Sequence, residues 1–345
     1  MARRLAPGDI IGGFRLVQKF HGGGLGTLWK VSHDDITVPL LMKLPFLLPG
    51  DDPLGIVSYE TEQMILPRLS SNHVPKFIAA GDYDGPYVVM EQIAGRSLIG
   101  RLTELPLPAE EVADLGARIA DALEDLHRQR VVHLDLKPSN IMIRDGSGEV
   151  VLIDFGLARH LDLPDLLAEE LEGPIGTGVY IAPEQLLGSR SDRRSDLYAW
   201  GCLVYLLLTG ESPVQLAQDQ GRRWALFQDE HFARLHAALN GVPGATLKTW
   251  ADQLGIPSTA LAVDWPGHLT LVMRQVLSPN PNRRPGTVAE LRSWFVVLPP
   301  PAVSGMVALQ LMAGEAKLLL DCSALETDLR LRIRRGRGAA PVNPE

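Results

Sequence analysis

Two acidic side chains, Asp135 and Asp154, each close a short apolar β-like run within Val131 to Gly156, VVHLDLKPSNIMIRDGSGEVVLIDFG, and Lys137 and Asn140 lie between them. These are the groups that phosphoryl transfer asks for. One carboxylate can receive a hydroxyl proton and another can hold a metal, while a cation meets the moving phosphoryl group and an amide oxygen serves a second metal. Alternatively, Asn and Asp stand here only because both favour turns. A constellation of this kind needs other elements to bring it a nucleotide and an acceptor.

Composition narrows what those elements belong to. With 345 residues, 46% hydrophobic and 21% charged, the chain can bury a large core, as about two domains or one two-lobed unit. Its mean hydropathy of +0.05 argues against wholesale disorder. A net charge of −8 disfavours nucleic acid as a partner. Only Cys202 and Cys322 are present, so there is no disulfide framework or zinc spacing, and Cys202 inside an apolar run reads as a buried small hydrophobe. MARRLAPGDI carries two arginines without an apolar run behind them, unlike a secretory signal. The longest candidate membrane run, Tyr198 to Leu208, is half the length a bilayer requires and reads as a buried helix. A cytoplasmic location is expected.

In chain order, Gly8 to Lys43 reads as strands broken by turns, with HGGGLG at His21 to Gly26 as a tight glycine turn and Thr27 to Val31 as the returning strand. Such a turn lets backbone N–H groups approach phosphate oxygens, although a glycine turn alone specifies only a turn. Leu40 to Leu44 is a third strand carrying Lys43. Val57 to Leu69 reads as a helix that Pro67 kinks or ends, with Glu60 and Glu62 on it. Phe77 to Ala80 and Tyr87 to Glu91 complete a small five-stranded sheet. After Ile93 the composition changes, and Pro108 to Arg128 carries a 3.6-residue apolar stripe from Val112 to Leu126. Asp196 to Leu208 is a nearly all-apolar helix, and Met273 to Leu277 and Val288 to Trp294 flank the turn SPNPNRRP.

Taken together, these motifs resemble a bacterial, eukaryotic-like (Hanks-type) Ser/Thr protein kinase from about Gly13 to Phe295, in the family's order and spacing. The resemblance implies an α+β, bilobal fold: a small β-rich N-lobe with helix C over 1–93, a larger mainly helical C-lobe over 94–298, and a C-terminal extension over 299–345, β or partly disordered. It implies ATP and Mg2+, or Mn2+, as cofactors and proteins bearing Ser or Thr as substrates. Gly22, Gly23 and Gly26 would form the phosphate loop, Lys43 the strand lysine and Glu62 its helix-C partner. Leu28 and Leu41 would roof the adenine with Met142 below it, Met90 takes the gatekeeper position, and Glu91 to Ile93 form the hinge. Asp135 matches the catalytic base, Lys137 the phosphate-contacting lysine, and Asn140 and Asp154 the metal ligands. Thr177 would hydrogen-bond Asp135 and Lys137; Ala182-Pro183-Glu184, Asp196 and Arg284 would serve structure. Lys137-Pro138 and Gly176-Thr177 resemble Ser/Thr rather than Tyr kinases.

Four departures from the family pattern matter. Leu134 replaces the arginine of HRD, the non-RD subtype, and Phe155 to Gly176 contains no Ser, Thr or Tyr, so activation-loop phosphorylation is not the expected switch. The acids of that loop, Asp162, Asp165, Glu169, Glu170 and Glu172, read as a solvated surface, with phosphate mimicry as the alternative. His21 replaces the first loop glycine, and Leu41 replaces a small roof residue and crowds the adenine slot. The span from Asp196 to Arg284 is long for the family, with the surplus in 212–265, read as extra helices or, if its aromatics are exposed, a docking surface. After Pro299-Pro300-Pro301, the arginines from Arg330 to Arg337 read as a solvated strand face or a frayed tail.

The leading function is transfer of the ATP γ-phosphoryl group to protein Ser/Thr hydroxyls in signalling. A pseudokinase scaffold is the non-enzymatic rival, on Leu134, His21 and Leu41. A small-molecule phosphotransferase comes third, because it would lack the GT, APE, Asp196 and Arg284 set.

Overall fold

In the computed structural model, residues 5–23, 26–46, 53–82, 85–170, 176–190, 192–212, 227, 229–241 and 265–296 are described. The chain divides at Val297, and the residues beyond it lie outside the described set.

The first half builds an antiparallel sheet in the order β1-β2-β3-β4-β6-β5. Its strands are β1 (Ile10–Ile11), β2 (Phe14–Gly23), β3 (Gly26–His33), β4 (Ile36–Pro45), β5 (Phe77–Ala80) and β6 (Val88–Glu91). The expected five strands become six because Ile10 and Ile11 fold back on Arg15 and Phe14. Helix α1 (Pro53–Ile65) follows β4 and gives way to a tight turn at Leu66–Arg68, where Pro67 withholds a helical N–H.

Side-chain alternation decides which face of this sheet does what. Leu40, Met42 and Leu44 point to one side and pack with Phe14, Leu16, Trp29, Val31 and Val89. Leu41 and Lys43 therefore face the other way. Register then pairs Leu28 with Lys43 and Leu41 with Met90, so these four residues share the opposite face.

The larger half is organised on α2 (Ala109–Arg128) and α5 (Arg193–Thr209), which pack on each other. The stripe Val112, Leu115, Ile119, Leu123 and Leu126 is buried throughout, each side chain contributing roughly 2 kcal/mol. Trp200 of α5 donates its indole N–H to the carbonyl of Gly116 at 2.8 Å. Asp192 caps the start of α5, accepting from the Arg194 N–H at 2.8 Å, and Gly210 ends it in the left-handed conformation at φ 74°.

Short strands β7 (Gly95–Ser97), β9 (Ile141–Arg144) and β10 (Val150–Leu152) form a second sheet, and β8 (Val131–Val132) pairs with β11 (Arg159–His160). These pairings hold the loops of the opening stretch between them. Helices α3 (Leu166–Glu170) and α4 (Pro183–Leu186) follow; α6 (Asp229–Asn240), α7 (Trp265–Val276) and α8 (Val288–Val296) complete the described fold. Helix α7 begins eight residues before its expected start at Met273, since its burial comes from packing on α6.

Within 212–265 the described part is Ser212, Phe227, α6 and Gly241, with Trp265 opening α7. Phe227 lies 5.1 Å from the Tyr205 ring and 5.8 Å from that of Phe232, and Phe232 is buried. These two aromatics serve the core rather than a docking face. Trp224 and Trp250, like the arginines from Arg330 to Arg337, lie outside the described residues. Among the described residues, no helix is long and apolar enough to cross a membrane.

Candidate active site

Alternation delivers Lys43 to the face away from the small core, and there its Nζ meets Glu62 Oε2 at 2.7 Å and Asp154 Oδ1 at 2.9 Å. Burial opposes its charge, but Asp154 and Glu62 outweigh burial and raise its pKa. The ammonium in turn is the main cause that draws the Asp154 carboxyl down to about 2. Because the Asp154 side chain is 47% exposed, water screens the pair and the shift brings little stability. Glu62 is only 1% exposed, and its Oε1 accepts the Phe155 N–H at 3.2 Å. One carboxylate on α1 thus fixes both the strand lysine and the start of the segment after Asp154. Glu60, the rival glutamate, is partly exposed.

Asp135 is buried, and each of its oxygens has a donor. Oδ1 accepts from the Thr177 hydroxyl at 2.7 Å, and Oδ2 from Lys137 Nζ at 2.6 Å and Asn140 Nδ2 at 3.1 Å. Lys137 also donates to Thr177 Oγ1 at 2.8 Å. Four residues spread over 42 positions become one hydrogen-bonded cluster.

Backbone strain near this cluster is held by named contacts. Leu134 and Asp154 adopt left-handed φ values of 60° and 66°, which side-chain-bearing residues rarely take. The buried carboxylate of Asp196 accepts the His133 and Leu134 N–H groups at 2.9 and 2.8 Å, and the Leu134 carbonyl accepts from Gln185 Nε2 at 2.9 Å. The Leu134 side chain itself is buried.

A second buried ion pair shapes the neighbouring surface. Arg284 donates Nη1 and Nη2 to the two oxygens of Glu184 at 2.7 and 2.8 Å, and Ser195 Oγ adds a bond of 2.7 Å. The guanidinium also stacks 4.7 Å from the Tyr198 ring centroid. Burial pushes the Glu184 pKa up, but Arg284 and Ser195 outweigh it and the net shift is downward.

Of the residues expected to receive a nucleotide, Leu28, Leu41, Lys43 and Met90 share one sheet face, and Ile93 is buried after β6. Glu91 is held at 2.7 Å by Arg144, whereas Met142 lies on β9 in the second sheet. Gly22, Gly23 and Gly26 flank the β2–β3 turn, and Gly23 pairs with Gly26 across it. Gly24 and Leu25 lie outside the described residues. Asn140 and Asp154 offer an amide and a carboxylate oxygen, hard donors suited to a divalent cation shared with phosphates.

Residues 51–296 match the protein kinase domain. The chain belongs to the protein kinase domain family. Its match starts after β4. The kinase domain of Mycobacterium tuberculosis PknI superposes with a TM-score of 0.57 at 20% identity, over 85% of this chain and 98% of that one. Three similar curated kinases come from bacteria. A probable serine/threonine-protein kinase PknB of Corynebacterium glutamicum is 33% identical over 199 residues, 56% of this chain and 31% of that protein. Serine/threonine-protein kinase PknF of Mycobacterium tuberculosis is 30% identical over 62% of this chain and 46% of its own length. PknL of Mycobacterium bovis is 32% identical over 66% of this chain and 57% of its own length. The chain thus spans less than two thirds of these relatives.

Other residues that shape this kinase domain carried no sequence signal. Gln185, Arg190 and Ser58 look like ordinary surface or helix residues until folding brings them to Leu134, Asp165 and Gly156. Asp165 departs from the expected solvated surface, since Arg190 and Arg159 grip it; the exposed Glu169 and Glu170 keep to it.

Proposed function

We propose that this kinase domain transfers the γ-phosphoryl group of ATP to Ser or Thr hydroxyls of protein substrates. The observation that carries the reading is the Asp135, Lys137 and Thr177 cluster, with donors on both oxygens of the carboxylate. In that reading Asp135 accepts the proton of the acceptor hydroxyl, oriented by Thr177. Lys137 Nζ lies beside it to meet the phosphoryl oxygens. Lys43, steadied by Glu62, binds the α and β phosphates, and the face of Leu28, Leu41 and Met90 receives adenine with the Glu91 to Ile93 hinge. Asn140 and Asp154 would hold Mg2+ or Mn2+, which would supply charge neutralisation at the phosphates.

The same reading makes the domain a non-RD kinase whose activity does not depend on activation-loop phosphorylation. Leu134 is apolar and buried where a phosphate-binding arginine would stand, and no hydroxyl occurs from Phe155 to Gly176. The test is magnesium-dependent transfer from radiolabelled ATP to a generic basic protein. Asp135→Asn and Lys43→Met should each abolish it, by about a hundredfold or more. Absence of transfer by the wild type would favour the pseudokinase reading. Prior phosphatase treatment should leave the rate unchanged, and a large loss would overturn phosphate independence.

A further inference from the structure

Part of the activation segment is tied to both of its ends through one carboxylate. Arg190, beyond α4, is 7% exposed, and its Nε lies 3.0 Å from both Oδ1 and Oδ2 of Asp165. Its Nη2 donates to the carbonyl oxygens of Leu157 at 3.0 Å and Ala158 at 3.3 Å, just after Asp154 and Phe155. Arg159 closes the other side: its Nε is 3.5 Å from Asp165 Oδ2, and its Nη1 donates to the Arg190 carbonyl. Asp165 also begins helix α3, its carbonyl accepting the Ala168 and Glu169 N–H groups at 3.0 and 3.1 Å. That helix buries Leu167 completely and packs on α1, which carries Glu62.

Stability alone explains this arrangement poorly. A buried ion pair carries a desolvation cost, and Arg190 Nη1 is buried with no hydrogen-bond partner. What the forked guanidinium supplies is geometry, because its donors fix the carboxylate and two backbone carbonyls at once. In switchable kinases a loop phosphate does this work by gathering cationic side chains.

We propose that Asp165, held by Arg190 and Arg159, is a positioning residue: a permanent carboxylate that pins α3 against α1 and so keeps Glu62 on Lys43. This rests on the kinase reading and supplies the source of its phosphate independence. The Asp165 carboxylate serves in place of a loop phosphate, so the active arrangement is built in rather than switched on.

The experiment compares the full chain with Asp165→Asn, which keeps shape and loses charge, and Asp165→Glu, which keeps charge. Amide hydrogen exchange over 53–65 is read by mass spectrometry beside kcat and the ATP KM. Asp165→Asn should raise exchange in that helix selectively and lower kcat about tenfold, whereas Asp165→Glu should stay near wild type. Wild-type exchange and kcat in Asp165→Asn would overturn the proposal, as would equal losses in both variants or a lower melting temperature without selective exchange. Should Asp165→Asn fail to fold, Arg190→Lys, which keeps charge and loses the fork, takes its place under the same criteria. If the wild type transfers no phosphate, the kinase reading fails, while the exchange comparison still decides the anchor.

Discussion

The hydroxyl of Thr177 donates to Oδ1 of Asp135 over 2.7 Å. That bond joins Thr177 to the loop that carries Asp135 and restrains the orientation of its carboxylate, the proton acceptor in the proposed reaction. A proton acceptor works only when its oxygen is aimed at the reacting hydroxyl, and small misplacements cost large factors in rate.

Removing that hydroxyl should therefore affect turnover rather than nucleotide binding. Thr177→Ala is expected to lower kcat about ten- to a hundredfold with the ATP KM near wild type. Thr177→Ser, which keeps the donor, should retain most activity. Steady-state kinetics on both variants checks this, and an unchanged kcat in Thr177→Ala would remove the orienting role.

The Glu184 and Arg284 pair makes a prediction about pH. The folded-state pKa of Glu184 is lowered, because Arg284 and Ser195 outweigh its burial. A depressed carboxylate contributes stability fully above its unfolded value of about 4.3, and loses it as pH falls through the lower folded value. Glu184→Gln should melt well below wild type at neutral pH, and the gap should narrow as pH falls below about 4.3 and close only below the lower folded value. Arg284→Ala, which strands the buried carboxylate, should cost about 3–5 kcal/mol. Thermal melts across that pH range test both, and a pH-independent gap would contradict the ion-pair account.

Gly156 allows a close approach to α1. A Cβ there would lie 2.0 Å from Ser58 Oγ and 3.3 Å from Ser58 Cβ and its carbonyl oxygen. Gly156→Ala should push α1 away from the Asp154 segment and lower activity. Ser58→Ala removes the nearest atom, so the double variant should recover part of the loss. A double-mutant cycle reads the coupling directly, and strictly additive effects would mean that this contact does not transmit to the site.

Leu41 shares its sheet face with Lys43 and Met90, where the adenine ring is expected. Over-filling a slot weakens what enters it. Leu41→Ala should lower the ATP KM and leave kcat near wild type. Indistinguishable KM values would show that Leu41 does not crowd the nucleotide.

What the sequence by itself determined was the chemical inventory and its order. Asp135, Lys137, Asn140 and Asp154 stand out because residue type and short spacing are local properties, as is the apolar stripe of α2. Tertiary structure alone decided which atoms meet. The short strand at Ile10, the early start of α7 and the burial of Phe232 each depend on a partner far along the chain. Asp165 is the sharpest case: among five acids of one loop it looks solvated, and only folding brings Arg190 from 25 residues away to hold it. A charge reads as surface until its counterion is known, and counterions are chosen by the path of the backbone rather than by neighbours in sequence.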